Sequence, residues 1–212
     1  MRTAWLIALA LAASSELAAQ TPAFEVRGVV FGLLGKRDAE TSPTTLGQST
    51  GTLTGGELSL RGRSIGVLVR LVNGDLSASG SGGIGGRLTT GEVRLQAGPR
   101  ALAAEVGYGK RATGGTLGAT VYSYLRAGVS SVLDIGGTGL TARISAAAYL
   151  KGQEASVSGH EVATALEYRL RRTPFVVTLG YRAEVFRATA GATERAEKVS
   201  GVVAGVGIRF AR

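Results

Sequence analysis

The chain has 212 residues, of which 33 are Gly, one is His and none is Cys, and it carries a net charge of +9 at pH 7. Without Cys there is no disulfide framework, no thiolate metal site and no Cys nucleophile. The Arg residues behind the charge are scattered singly, with no basic cluster or aromatic platform, so nucleic acid is not an expected partner.

The chain opens "MRTAWLIALALAASSELAAQTP", with a positive charge at Arg2, an apolar run over 4–13 and a small residue at Ala19. Residues 1–19 read as a secretory signal peptide, too short to span a bilayer as a helix. Residues 20–212 then form one exported domain, long enough to fold around its own interior.

No later apolar run approaches the ~18 residues of a membrane helix. Gly, Thr, Ser and Val recur instead in segments of alternating character, which is an all-β composition. Ten such segments are predicted, at 24–35, 51–62, 63–72, 88–98, 101–109, 116–127, 138–151, 161–172, 175–187 and 198–210. Most approach the ~9–11 residues that a tilted strand needs to cross a bilayer.

The links alternate in length. "GR" (62–63), "PR" (99–100) and "TP" (173–174) are short. The other ends carry long polar stretches at 36–50, 73–87, 110–116, 152–160 and 188–198. Tight turns on one side and loops on the other is the pattern of an up-and-down antiparallel barrel. The link "VSSVLDIGGTG" (129–139) is long where a turn is expected, so ten strands are favoured with eight as the alternative.

Two-residue turns fix which residues face each other. They predict Leu60 opposite Ile65, Ala97 opposite Leu102 and Leu170 opposite Val177. Apolar then lands on apolar in each hairpin. The other face carries Glu57, Arg61, Arg70, Glu92, Arg94 and Glu105 in the first half of the chain. It carries Arg126, Arg143, Glu167, Arg169, Arg182 and Glu184 in the second half. The same turns set Arg94 opposite Glu105, Glu57 diagonal to Arg70 and Glu167 diagonal to Arg182.

Alternation alone fits a soluble β-sandwich as well as a membrane barrel. The apolar row contains many small residues, such as Ala97, Ala104, Ala146 and Ala204. A sandwich core needs interlocking bulk, whereas a lipid-facing surface does not. Aromatics also gather at the short-turn ends (Phe24, Tyr168, Phe175 and Phe210), as in an interfacial girdle. The charged face is then the lumen, where its members must pair.

The last strand ends "GVGIRFAR" (205–212). Its Gly205, Ile208 and Phe210 resemble the C-terminal targeting strand of bacterial outer-membrane β-barrel proteins. Val203 and the two residues after Phe210 depart from that pattern. The resemblance implies an outer-membrane location and handling by the barrel-assembly machinery, with Gly205, Ile208 and Phe210 as the assembly signal.

Catalytic chemistry is thinly represented. Asp38, Asp75 and Asp134 are far apart in the chain, unlike the Asp and Asp–His pairs that outer-membrane barrel proteases resembling such a fold would carry. A Ser–His hydrolase would have to combine His160 with Ser156 or Ser158 and with Glu161 as orienting carboxylate. "GSGGIGG" (80–86) opens no helix and reads as polar loop, not as a dinucleotide fingerprint. No metal site or cofactor is expected.

The sequence therefore predicts a monomeric, non-enzymatic outer-membrane barrel, embedded in lipid, with a charge-filled lumen and polar loops that could hold a surface ligand. A narrow anion-preferring channel is the alternative, because Arg exceeds Glu on the inward face. A lipid-modifying enzyme ranks below both.

Overall fold

Segments of period two fold into ten antiparallel strands in this computed structural model. It describes residues 23–41, 45–79, 85–115, 119–151, 156–190 and 193–212. The strands are β1 (Phe24–Thr41), β2 (Thr45–Gly62), β3 (Ile65–Ala78), β4 (Gly86–Ala97), β5 (Ala103–Thr113), β6 (Thr120–Ile135), β7 (Leu140–Leu150), β8 (Ser156–Arg169), β9 (Phe175–Ala190) and β10 (Thr193–Ala211). The signal-peptide region 1–19 and most of the "GSGGIGG" stretch lie outside the described residues.

Each strand pairs with its neighbours in sequence, and β1 pairs with β10 from Glu25↔Ala211 to Thr41↔Arg195. The barrel therefore closes within one chain and leaves no free sheet edge. The ambiguous link at 129–139 resolves in favour of ten strands. Strand β6 runs on to Ile135, and only 136–139 turn. That turn is "GGTG", with Gly136, Gly137 and Gly139 at φ of 57°, 66° and 82°. Left-handed backbone of this kind suits Gly.

Every predicted hairpin face is correct, but every register is off by two residues. Leu60 pairs with Val67 instead of Ile65, because the turn is Arg63–Ser64. Ala97 pairs with Ala104, and Tyr168 with Val177. The turns there span four residues rather than two. A slip of two preserves the face of every side chain, so the facing assignment survives while the cross-strand partners change.

The strands are also longer than predicted at the end opposite these turns. Only 42–44 separate β1 from β2, and only 191–192 separate β9 from β10. Most of the predicted loops at 36–50 and 188–198 are thus strand. Past the apolar belt the outer face becomes polar, with Lys36, Asp38 and Glu40 on β1 and Thr50, Thr52 and Thr54 on β2. Both faces are then hydrophilic, and alternation no longer marks the strand.

The arrangement is inside-out relative to a soluble sandwich. Val30, Ile65 and Val206 are 68%, 70% and 64% exposed, whereas Arg37 and Glu167 are 0% exposed. A continuous exposed belt of Val, Leu, Ile and Ala is what hydrocarbon, not water, would solvate. The aromatics Phe24, Tyr168, Phe175 and Phe210 are exposed at the turn end. They form an arc over β8, β9, β10 and β1 rather than a full ring.

Candidate functional site

The interior is the only large set of chemically active groups that the fold brings together among the described residues. Inward-facing positions on all ten strands supply it. Twelve Arg and eight Glu line it, with Asp134 at the turn-end mouth. Three clusters stack along the axis.

The cluster nearest the turns centres on Glu25 and Glu167. Glu25 meets Arg100 at 2.7 Å, Arg209 at 3.1 Å and Arg143 at 3.4 Å. Glu167 accepts from Arg27 at 2.5 Å and faces Arg143 at 3.3 Å. Arg27 also bonds Glu57 at 2.6 Å. Asp134 meets Arg100 at 3.2 Å and accepts from the Thr141 hydroxyl at 2.7 Å.

At mid-height Glu161 is the hub. Its carboxylate lies 2.7 Å from Arg182, 3.5 Å from Arg126, 3.8 Å from Arg94 and 3.9 Å from Arg70. The Tyr149 hydroxyl donates to it at 2.8 Å. Beside it Glu92 is held by Arg94 and by the Tyr124 hydroxyl at 2.6 Å. Glu105 accepts from Arg126 at 2.5 Å and from Gln96 at 2.7 Å.

Nearer the loops, Glu184 and Glu197 share Arg111, and Glu197 also binds Arg195 at 2.7 Å. Arg37 is enclosed beside them and makes no hydrogen bond. Two apolar clusters pack around this end. One holds Val29, Phe31, Leu33, Leu53 and Leu76. The other is aromatic, with Tyr124, Tyr149 and Phe186 meeting edge to face at centroid distances of 5.0–5.7 Å. Gly109 makes room for it, since a Cβ there would stand 2.5 Å from the Tyr124 ring.

Ten of the eleven charged residues expected in the lumen are inside: Glu57, Arg70, Glu92, Arg94, Glu105, Arg126, Arg143, Glu167, Arg182 and Glu184. Arg169 differs. It sits at the strand end, exposed, with its Nε donating to the Thr173 carbonyl at 3.3 Å.

The expected pairings are loosened or replaced. Glu57 is directly opposite Arg70, yet bonds Arg27. Arg94 stands opposite Gly107 and lies 4.0 Å from Glu105. Arg182 reaches Glu161, not Glu167. The two-residue slip takes Glu105 away from Arg94 and Glu167 away from Arg182, whereas Glu57, although brought opposite Arg70, is held by Arg27 of β1.

Sequence reading missed Arg37, Arg111, Arg195 and Glu197, which lie on strand extensions taken for loops. It also missed the inner apolar cluster, although "VVFGLL" (29–34) shows apolar residues on both faces.

The catalytic candidates do not assemble. His160 and Ser158 point outward on β8, while Glu161 points into the lumen. Neighbours on a strand cannot form a triad when their side chains occupy opposite faces. Asp38 and Asp75 lie on the outer wall of β1 and β3, and Asp134 lies at the opposite end of the barrel. Gly205 faces inward, and Ile208 and Phe210 face outward at the turn end of β10. No three of His, Asp and Glu among the described residues are grouped to hold a metal.

A solved structure shares this architecture. The outer membrane protease OmpT from Escherichia coli aligns with a TM-score of 0.57 at 9% identity, over 90% of this chain and 98% of that one. Neisserial surface protein A aligns with a TM-score of 0.39 at 15% identity, over 89% and 97%. No protein-family model and no curated protein matches the sequence. The fold is that of a bacterial outer-membrane β-barrel.

The hub geometry makes a quantitative prediction. Glu161→Ala leaves four guanidinium groups without their shared carboxylate and should cost about 3–5 kcal/mol. Urea unfolding of the refolded protein measures this. A loss below about 1 kcal/mol, the worth of a surface ion pair, would remove Glu161 from the centre of the lattice.

Proposed function

We propose that the chain is a non-enzymatic, monomeric outer-membrane barrel with a closed structural lumen, whose binding role lies on its outward, loop-bearing end. One observation carries this reading. Ion pairs join walls that face each other across the barrel. Arg70 on β3 and Arg94 on β4 reach toward Glu161 on β8, and Arg111 on β5 bonds Glu197 on β10. In a ring of ten strands, β3–β8 and β5–β10 are diametrically opposed. Side chains that meet at the axis fill the passage that a channel needs.

The rival reading, a narrow anion-preferring channel, draws on the excess of Arg over acids in the lumen. Planar-bilayer recording separates the two. The closed barrel gives no stepwise conductance, and anion-selective single-channel steps would overturn it.

Handling by the barrel-assembly machinery is supported by Ile208 and Phe210, exposed on the lipid face of β10. Phe210→Ser leaves the ladder hydrogen bonds to β1 intact. Refolding in detergent should therefore continue, while assembly in cells falls. Equal amounts of folded protein in the outer membrane for variant and wild type would count against the targeting role.

A further inference from the structure

The lumen is not fully compensated. Its twelve guanidinium groups face nine carboxylates among the described residues. A buried charge without a partner is strongly destabilising, so the position of the surplus matters.

Arg70 is the most loosely held of the four guanidinium groups around Glu161. This side chain is inward on β3 and only 7% exposed. It makes no hydrogen bond, and its nearest carboxylate oxygen is on Glu161, at 3.9 Å. Glu161 is bonded by Arg182 and Tyr149 through Oε2, and its Oε1, which faces Arg70, is shared at longer range with Arg126 and Arg94 and accepts no hydrogen bond. Glu57, directly across the ladder, is bonded by Arg27. The remaining close contact is the Phe31 ring, 5.1 Å from the guanidinium carbon, which leaves the donors at the fork edge free.

Arg70 lines a cavity of about 150 Å³. That is well above the ~10–15 Å³ of probe-occupied volume one water requires. The walls hold seven Arg but only three Glu. Arg61 and Arg182 each keep a buried Nε without an acceptor, and so does the buried hydroxyl of Thr178. All three line the same cavity.

We infer that this cavity is a binding site for a small tetrahedral oxyanion of the phosphate or sulfate class, with Arg70 as its principal ligand. Donors outnumber acceptors there, the local charge is positive, and a planar guanidinium fork pairs two oxygens at once. Chloride would satisfy the charge but not the fork. The inference goes beyond the closed-barrel reading and does not depend on it, since a site of this kind forms whether or not the lumen conducts.

The test uses full-length mature protein refolded in detergent, with inorganic phosphate as probe against matched ionic strength in chloride. Phosphate should raise the unfolding midpoint of the wild type saturably. Arg70→Met keeps the bulk and removes the charge. It should weaken phosphate binding at least tenfold and, in chloride, unfold no earlier than wild type, because it removes a buried guanidinium that makes no hydrogen bond. Arg63→Gln, at an exposed turn, should bind phosphate as wild type does. No saturable phosphate effect on the wild type, or an equal effect on Arg70→Met, would overturn the site. Should Arg70→Met fail to refold, direct titration of the wild type by calorimetry decides. One phosphate bound per chain supports the site, and no saturable heat overturns it. Conductance, recorded separately, judges the closed-barrel reading on its own.

Discussion

The rest of the structure depends on the compensation of charge inside a closed wall. Once β1 pairs with β10, every inward side chain is committed to a narrow, enclosed space. Arg and Glu in that space must find each other, and at mid-height they do so through Glu161. Buried ion pairs of this type need not add net stability over apolar packing. They specify instead which walls meet. A slipped strand would strand a charge, so the lattice disfavours alternative registers that the Gly-rich backbone would tolerate.

The outer surface follows the opposite rule. There the chain presents Val, Leu, Ile and Ala to hydrocarbon, and small residues suffice because nothing interlocks with them. Toward the loop end the outside turns polar while the wall continues. The inside changes there too, adding the apolar cluster around Phe31 and the aromatic cluster around Tyr124 beside the Arg111–Glu197–Arg195 ion pairs. Both faces thus change character along the barrel axis. Lipid dictates the lower outer face, and packing against neighbouring side chains dictates the upper inner face.

This change explains what could be read from the sequence and what could not. Where lipid lies outside and charge inside, as in "EVRLQA" (92–97), alternation is clear and both faces were assigned correctly. Where both faces are polar, as in "KRDAET" (36–41), the strand has the signature of a loop, and its inward Arg37 is not legible. Where both are apolar, as in 29–34, the inward row was invisible. Turn positions were misplaced because none of the short links carries a dipeptide that fixes a two-residue turn. The pairing list suffered for it, although the facing did not. The His160 and Glu161 neighbourhood shows the converse limit. Adjacency in sequence suggested a catalytic group, and the strand's period of two separated its members. A barrel of this shape serves many unrelated roles, so the fold alone assigns none of them.

The lack of Cys makes the central claim directly testable. Single Cys residues placed along β10 from Val199 to Phe210 can carry a spin label in bilayers of zwitterionic phospholipid. The account predicts a period of two in oxygen accessibility, with Val202, Ala204, Val206, Ile208 and Phe210 facing lipid. The intervening positions, Val203, Gly205 and Gly207, should be shielded. Equal accessibility at both sets, or lipid contact at the odd-numbered positions, would contradict it.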